Sequence, residues 1–379
     1  MQDFEPSGEL AALLAFVERD GSNTVLLAET IERSYEESAL ELTATLIDRY
    51  RTLAPLPPPL TNLAGLVALR SGDAEGAAAQ FDELIGMGQD DSGLRFNRAW
   101  CYALEGDYEA ALGLLTEEAA LTHAQAATLR IEAFHHLGTL DEALRAGAIY
   151  VERFPDHAAL FGALAQVALD AERAELAEAY AARAGETVQG ISARGMLLLS
   201  KDRGAEALVE FDKALAARPD DARALLGRGV GLLAQGDTED ALAAIQRGAE
   251  CFGTHVGSWV AAGWLNLINR NFSKSRDCFD RAMAIDGSFA ESHGGLAVLD
   301  LLDGDATAAE RGAERALRLD RASFGGALAR ILILQARGNA EQANELLTAA
   351  LAAPAGPGGK SIGDVLGVMA LGGISFSSR

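Results

Sequence analysis

Three stretches of the sequence carry residue types that could do chemistry. Glu132, His135 and His136 form an ExxHH string, in which Glu132 and His136 are four apart and share a helix face. A metal held between helices would need a second such string and further carboxylates on facing helices, and the sequence supplies neither. The HExxH pattern is also absent. The stretch PAGPGGKS, from Pro354 to Ser361, ends like a phosphate-binding loop. That loop requires Gly at position 354, where Pro stands, and it should follow a strand rather than a helical pattern. It reads as a linker. Cys101, Cys251 and Cys278 are isolated, with no CxxC, and two of them adjoin Trp100 and Phe279. Core or semi-core thiols are expected, and no GxSxG or paired nucleophile and base accompanies them. The sequence therefore predicts no catalytic site, no cofactor and no metal.

Composition points the same way. Lys and Arg number 32 against 55 Asp and Glu, a net charge of −23 in 379 residues. Such a surface repels nucleic acid and anionic membranes, which are bound through basic residues. Residues 1–57 alone hold 11 acidic and 4 basic residues, a net of −7, which would favour a basic partner. Ordinary solubility of a large helical surface explains the same charge. Apolar residues make up 49%, enough to exclude disorder. The opening MQDFEPSGEL has no basic region ahead of an apolar core and is not read as a secretory signal. No apolar run reaches the length of a membrane-spanning helix. A reducing, cytoplasmic compartment is expected.

The elements that would position these residues recur with a fixed period. Small residues at 77, 111, 143, 177, 207, 241, 275, 309 and 343 are spaced by 34, 32, 34, 30, 34, 34, 34 and 34 residues. Most follow a turn such as Gly72-Asp73, Gly106-Asp107, Gly236-Asp237 or Gly304-Asp305. Glycine supplies a left-handed residue that ends one helix, and Asp, Asn or Thr can cap the next. Bulky residues stand four positions later at Phe81, Leu115, Phe211, Ile245, Phe279 and Leu347, and small ones return seven positions later. Asp156 and Asp220, after Pro155 and Pro219, are placed to cap following helices. The pattern predicts helix–turn–helix units that bury their remaining face on neighbours.

The stretch Arg95–Leu115, RFNRAWCYALEGDYEAALGLL, resembles the tetratricopeptide repeat family through Phe96, Asn97, Tyr102, Gly106, Asp107, Tyr108 and Ala111. The stretch Ala205–Asp221 resembles the family's second helix and closing proline. The resemblance covers residues 58–355 as nine units. It implies an all-α, right-handed superhelical solenoid whose first helices line a concave face. Residues 1–57 are expected to form a degenerate tenth unit preceded by a capping helix with a Leu10, Leu13, Leu14, Val17 stripe. Residues 356–379 are expected to be a Gly-rich linker and an apolar capping tail. The unit around Ala158–Thr187 lacks the turn glycine and is four residues short, so local helix packing should change there.

By resemblance, the groove is lined at the centre of successive first helices by Leu66, Trp100, Glu132, Gln166, Met196, Val230, Trp264, Val298 and Leu332. Asn62, Phe96, Asn97 and His136 lie nearby. The same positions can equally serve packing between repeats, and Trp100 and Trp264 are the favoured interface residues. The cations that grip a chaperone's terminal carboxylate in some family members are missing, because their places fall on Asn62, Leu66, Gln125 and Leu129. The expected function is a non-catalytic scaffold or adaptor that holds a peptide or helix of a partner protein, basic and amphipathic in character, in its groove. The alternatives are a sensor of a small peptide or metabolite, and an accessory or chaperone subunit of an enzyme or secretion apparatus. Oligomeric state is left open.

Overall fold

A computed structural model describes residues 5–89 and 91–352 of the chain. The expected linker and tail at 356–379, with Lys360 and Ser361, lie outside the described residues. Among those residues all regular structure is α-helical, in twenty-two helices. They cluster into two compact units divided in sequence between Arg173 and Ala174.

The first unit begins with α1 (Gly8–Arg19). Four helical hairpins follow: α2 (Thr24–Glu36) with α3 (Leu40–Leu53), α4 (Pro58–Arg70) with α5 (Ala74–Gly86), α6 (Ser92–Leu104) with α7 (Tyr108–Leu114), and, after the short α8 (Glu117–Thr122), α9 (Ala124–His136) with α10 (Leu140–Arg153). The unit ends with α11 (Ala158–Asp170). The second unit opens with α12 (Ala174–Ala184). Its five hairpins are α13 (Val188–Ser200) with α14 (Gly204–Ala217), α15 (Ala222–Gln235) with α16 (Thr238–Phe252), α17 (Val256–Ile268) with α18 (Phe272–Ile285), α19 (Ala290–Leu302) with α20 (Ala306–Leu319), and α21 (Phe324–Ala336) with α22 (Ala340–Ala352). The fold is an all-α repeat array, as the 34-residue period predicts.

The turns explain why the period is tolerated where glycine is absent. Gly72, Gly106, Gly138, Gly236, Gly304 and Gly338 are left-handed, with φ between +73° and +87°. In the remaining turns the same place is taken by Ser38, Glu172, Asp202 and Arg270, at φ of +57° to +60°. A side chain in that region costs about 1–2 kcal/mol, so packing of the flanking helices must hold these four turns. The residue after the turn often caps the second helix. Asp73 accepts from the Gly76 N–H at 2.8 Å, Asp107 from Ala110 at 3.0 Å and Asp305 from Ala308 at 2.9 Å. Thr139 and Asn271 make no such bond. The caps expected at Asp156 and Asp220 fall one residue later. His157 precedes α11 without a side-chain bond, and Asp221 accepts from Ala224 at 2.9 Å.

Glycines on first helices receive the bulky residues of second helices. The ring of Phe211 on α14 lies between Gly195 of α13 and Gly227 of α15, where an added Cβ would come within 2.5 and 2.2 Å of it. Phe279 on α18 lies likewise between Gly263 and Gly295, at 2.8 and 2.3 Å. Both phenylalanines are fully buried, and each locks one hairpin to the next. In the first unit Phe81 presses on Gly65 in the same way.

Three local features differ from the regular pattern. The second helix after the Gly106 turn breaks at Leu115, because Thr116 starts a new helix by accepting from Ala119 N–H at 3.2 Å, followed by Glu117 and Glu118. The prolines at 57–59 open a helix, with Pro57 as the N-cap of α4. Pro58 and Pro59 occupy the first turn of α4, where a missing N–H is harmless, and Leu60 and Val67 join one core with Leu46 and Ile47. At the amino-terminal side, α1 buries Leu10 and Val17 and is tied down by Glu9–Arg33 at 2.5 Å and by a Ser7–Glu37 hydrogen bond.

Candidate interaction face

The predicted groove residues separate into exposed, half-buried and buried sets. On α6, Phe96, Trp100 and Leu104 follow one another at four-residue spacing and lie on one face. Trp100 is 39% exposed and Leu104 55% exposed. The Phe96 ring is 6.0 Å from that of Trp100. This is a contiguous aromatic and aliphatic stripe with solvent on it. Leu104 was not picked out from the sequence, although its spacing from Trp100 was there to find.

Beside the stripe, Asn62 of α4 and Asn97 of α6 line one open cleft of about 440 Å³, with Pro58, Pro59, Leu84, Gln89, Asp91, Gly93 and Leu94. Leu66 is half-buried against the core that contains Phe81. On the other side lies α9. His136 stacks on the Tyr108 ring, with centroids 4.1 Å apart and planes within 2°. Glu132 adds its negative charge there, and burial with that charge pushes the Tyr108 hydroxyl upward in pKa. His135 turns away and pairs through Nε2 with Asp170 of α11 at 2.7 Å. The ExxHH string is thus split between two partners, and no cluster of three metal-ligating side chains exists among the described residues. Gln166 on α11 is half-buried.

The second unit treats the equivalent positions differently. Trp264 is half-buried, with edge contacts to Phe279 at 5.4 Å and Phe324 at 5.5 Å. Gly325 leaves room for it, since a Cβ there would stand 2.9 Å from the indole. Val298 is only 2% exposed and packs with Ala309, Ala313 and Ile333, so it lines no surface. The reason is a close approach of α19 and α21 through Gly294, Gly325 and Gly326, which leaves no gap above Val298. Met196 is half-buried beside the Phe211 core, while Val230 is 48% exposed.

Ion pairs between hairpins escaped sequence reading. Arg98 donates to Asp82 at 2.8 Å, and Arg228 donates to Asp212 at 2.9 Å. Both pairs are sixteen residues apart and join a first helix to the preceding second helix. Arg98 also lies over the Tyr102 ring at 3.7 Å. The thiols behave as expected. Cys101 and Cys278 are buried, and burial pushes Cys101 up to about 11.

Helical hairpins of constant period, locked by small residues against rings, define an all-α repeat array. A tetratricopeptide repeat family model matches residues 62–122 and 192–254, and these stretches are tetratricopeptide repeats. Similar solved structures include a protein from a study of Pseudomonas aeruginosa pilF, 18% identical, covering 55% of this chain and 96% of that one with a TM-score of 0.45. The Cut9–Hcn1 tetramer of the APC/C gives 13% identity, 87% and 86% coverage and a TM-score of 0.41. MamA gives 19% identity, 41% and 92% coverage and a TM-score of 0.35. A comparison with curated proteins finds no match. Tetratricopeptide repeats generally mediate protein–protein interaction and are typically non-catalytic. No described helix is long and apolar enough to cross a membrane.

Proposed function

We propose that the chain is a non-catalytic adaptor that docks a segment of another protein on the α6 face of its first unit. The observation that carries this reading is the Phe96–Trp100–Leu104 stripe, with its solvent-facing indole. Indole side chains left at a surface are enriched where binding energy concentrates. The Asn62 and Asn97 amides in the adjoining cleft are suited to a partner's main chain, offering both donors and an acceptor. Glu132 on the neighbouring α9 acts on Tyr108 of the same hairpin, which favours Lys or Arg beside the partner's apolar residues.

The test is capture from the native host's extract with immobilised wild-type chain beside a Trp100→Ala, Leu104→Ser variant. Loss of the captured protein from the variant, with unchanged circular dichroism and Tm, is expected. A full set of partners retained by the folded variant would sink the proposal.

A further inference from the structure

A separate surface carries the opposite charge. On α20, Arg311, Arg315 and Arg318 stand at i, i+4 and i+7, which places them on one helix face. Arg321 follows just past the helix end, and all four are exposed. None of them has an ion pair or hydrogen bond among the described residues. Arginines nearby are committed: Arg276 holds Asp300 and Asp303 at 2.9 Å each, and Arg337 holds Glu310. Glu314 flanks the face, and Asp320 is occupied by the Ala322 N–H at 2.8 Å. Unpaired guanidinium groups on a rigid helix are preorganised for carboxylates.

The first unit holds a matching set. On α2, Glu29, Glu32 and Glu36 are exposed, and only Glu36 has a partner among the described residues, Arg33 at 2.9 Å. Counted forward from Arg311 the arginines fall at steps of four and then three. Counted backward from Glu36 the glutamates fall at the same steps, Glu32 and then Glu29. Two antiparallel helices would therefore bring Arg311 to Glu36, Arg315 to Glu32 and Arg318 to Glu29, over about 10 Å of helix.

We infer that the arginine face of α20 docks on the glutamate face of α2 in a second copy of this chain. The contact joins unlike surfaces, one basic and one acidic, so each chain carries both halves of it. Exposed pairs are individually weak, and the association is accordingly reversible and salt-sensitive. A polyanion such as nucleic acid or an anionic bilayer offers no such register, and the net charge of −23 opposes its approach.

Sedimentation velocity of the full chain across a concentration series, at about 0.05 M and about 0.5 M salt, tests this. The wild type is expected to rise above its single-chain mass of 39.7 kDa with concentration at low salt. The association constant should fall at least about tenfold at high salt. Arg315→Glu with Arg318→Glu, and separately Glu29→Arg with Glu32→Arg, should each hold the chain at its single mass. Mixing the two variants should restore association, because each then presents what the other lacks. Arg315→Gln with Arg318→Gln guards against misfolding and should weaken association at least about fivefold. A wild type that stays single at every concentration overturns the inference. So does a mixture of folded variants that fails to associate. Arginine-dependent binding to anionic vesicles or to nucleic acid by a chain that remains single would overturn it as well.

Discussion

Trp100 and Trp264 occupy the same place in their repeats, six residues before the left-handed turn residue, yet they do different work. Trp100 has Phe96 on its own helix as its ring neighbour and remains 39% exposed. Trp264 is walled by Phe279 and Phe324 and lies over Gly325. The units differ in charge too. Residues 1–173 hold 11 basic and 29 acidic residues, a net of −18, with no lysine, whereas residues 174–379 hold 21 and 26, a net of −5. One repeat position is therefore not one role. A tryptophan becomes structural where glycines let neighbouring first helices close over it, and stays available where they do not.

The comparison can be broken most sharply by truncating each indole. Trp264→Ala should cost about 3 kcal/mol of stability, because it opens a void between two rings. Trp100→Ala should change stability by no more than about 0.5 kcal/mol. Urea unfolding of both variants checks this. Next in size, Gly227→Ala should cost about 1–3 kcal/mol by forcing the Phe211 ring aside, seen as a lower urea midpoint. The turns give a smaller effect of opposite sign. Asp202→Gly and Arg270→Gly should each raise stability by about 0.5–1 kcal/mol, since both residues sit at positive φ, and thermal unfolding would detect it.

The smallest effect concerns pH. Hydrogen bonds from Ser7, and then the Arg33 charge, hold the Glu37 carboxyl below its ordinary 4.5. A carboxyl depressed in the folded state stabilises above its unfolded value and loses that contribution as pH falls through the folded value. Hydrogen-exchange protection of α1 should therefore be constant at neutral pH and decline only below about 4.5. Glu37→Gln should remove that step.

The period of small residues was sufficient to read the hairpins, their turns and the buried Phe211 and Phe279, because close helix contact demands Ala or Gly at fixed intervals. The left-handed Glu172 and Asp202 were not legible as such, since their cost is borne by packing that only the folded chain has. Nor was the break at Thr116, where local capping overrides the repeat. Trp100 was singled out by its repeat position, and the structure leaves it 39% exposed. Val298 was misplaced by the same reasoning, because the closeness of α19 to α21 depends on Gly294 of its own helix meeting Gly325 and Gly326 of the next hairpin. The Arg98–Asp82 and Arg228–Asp212 pairs share a sixteen-residue spacing that becomes meaningful only once second and first helices are known to stack.

The central claim, that the first unit offers its indole to a partner while the second has folded its own away, is tested most directly by tryptophan fluorescence. Spectra and acrylamide quenching of the wild type are compared with those of Trp100→Phe and Trp264→Phe, before and after addition of a captured partner. The emission lost with Trp100 should be red-shifted and readily quenched, and the partner should protect it. The emission lost with Trp264 should be blue-shifted, poorly quenched and unmoved. A Trp264 component quenched as easily as that of Trp100, or a partner that shields Trp264 alone, would contradict the account.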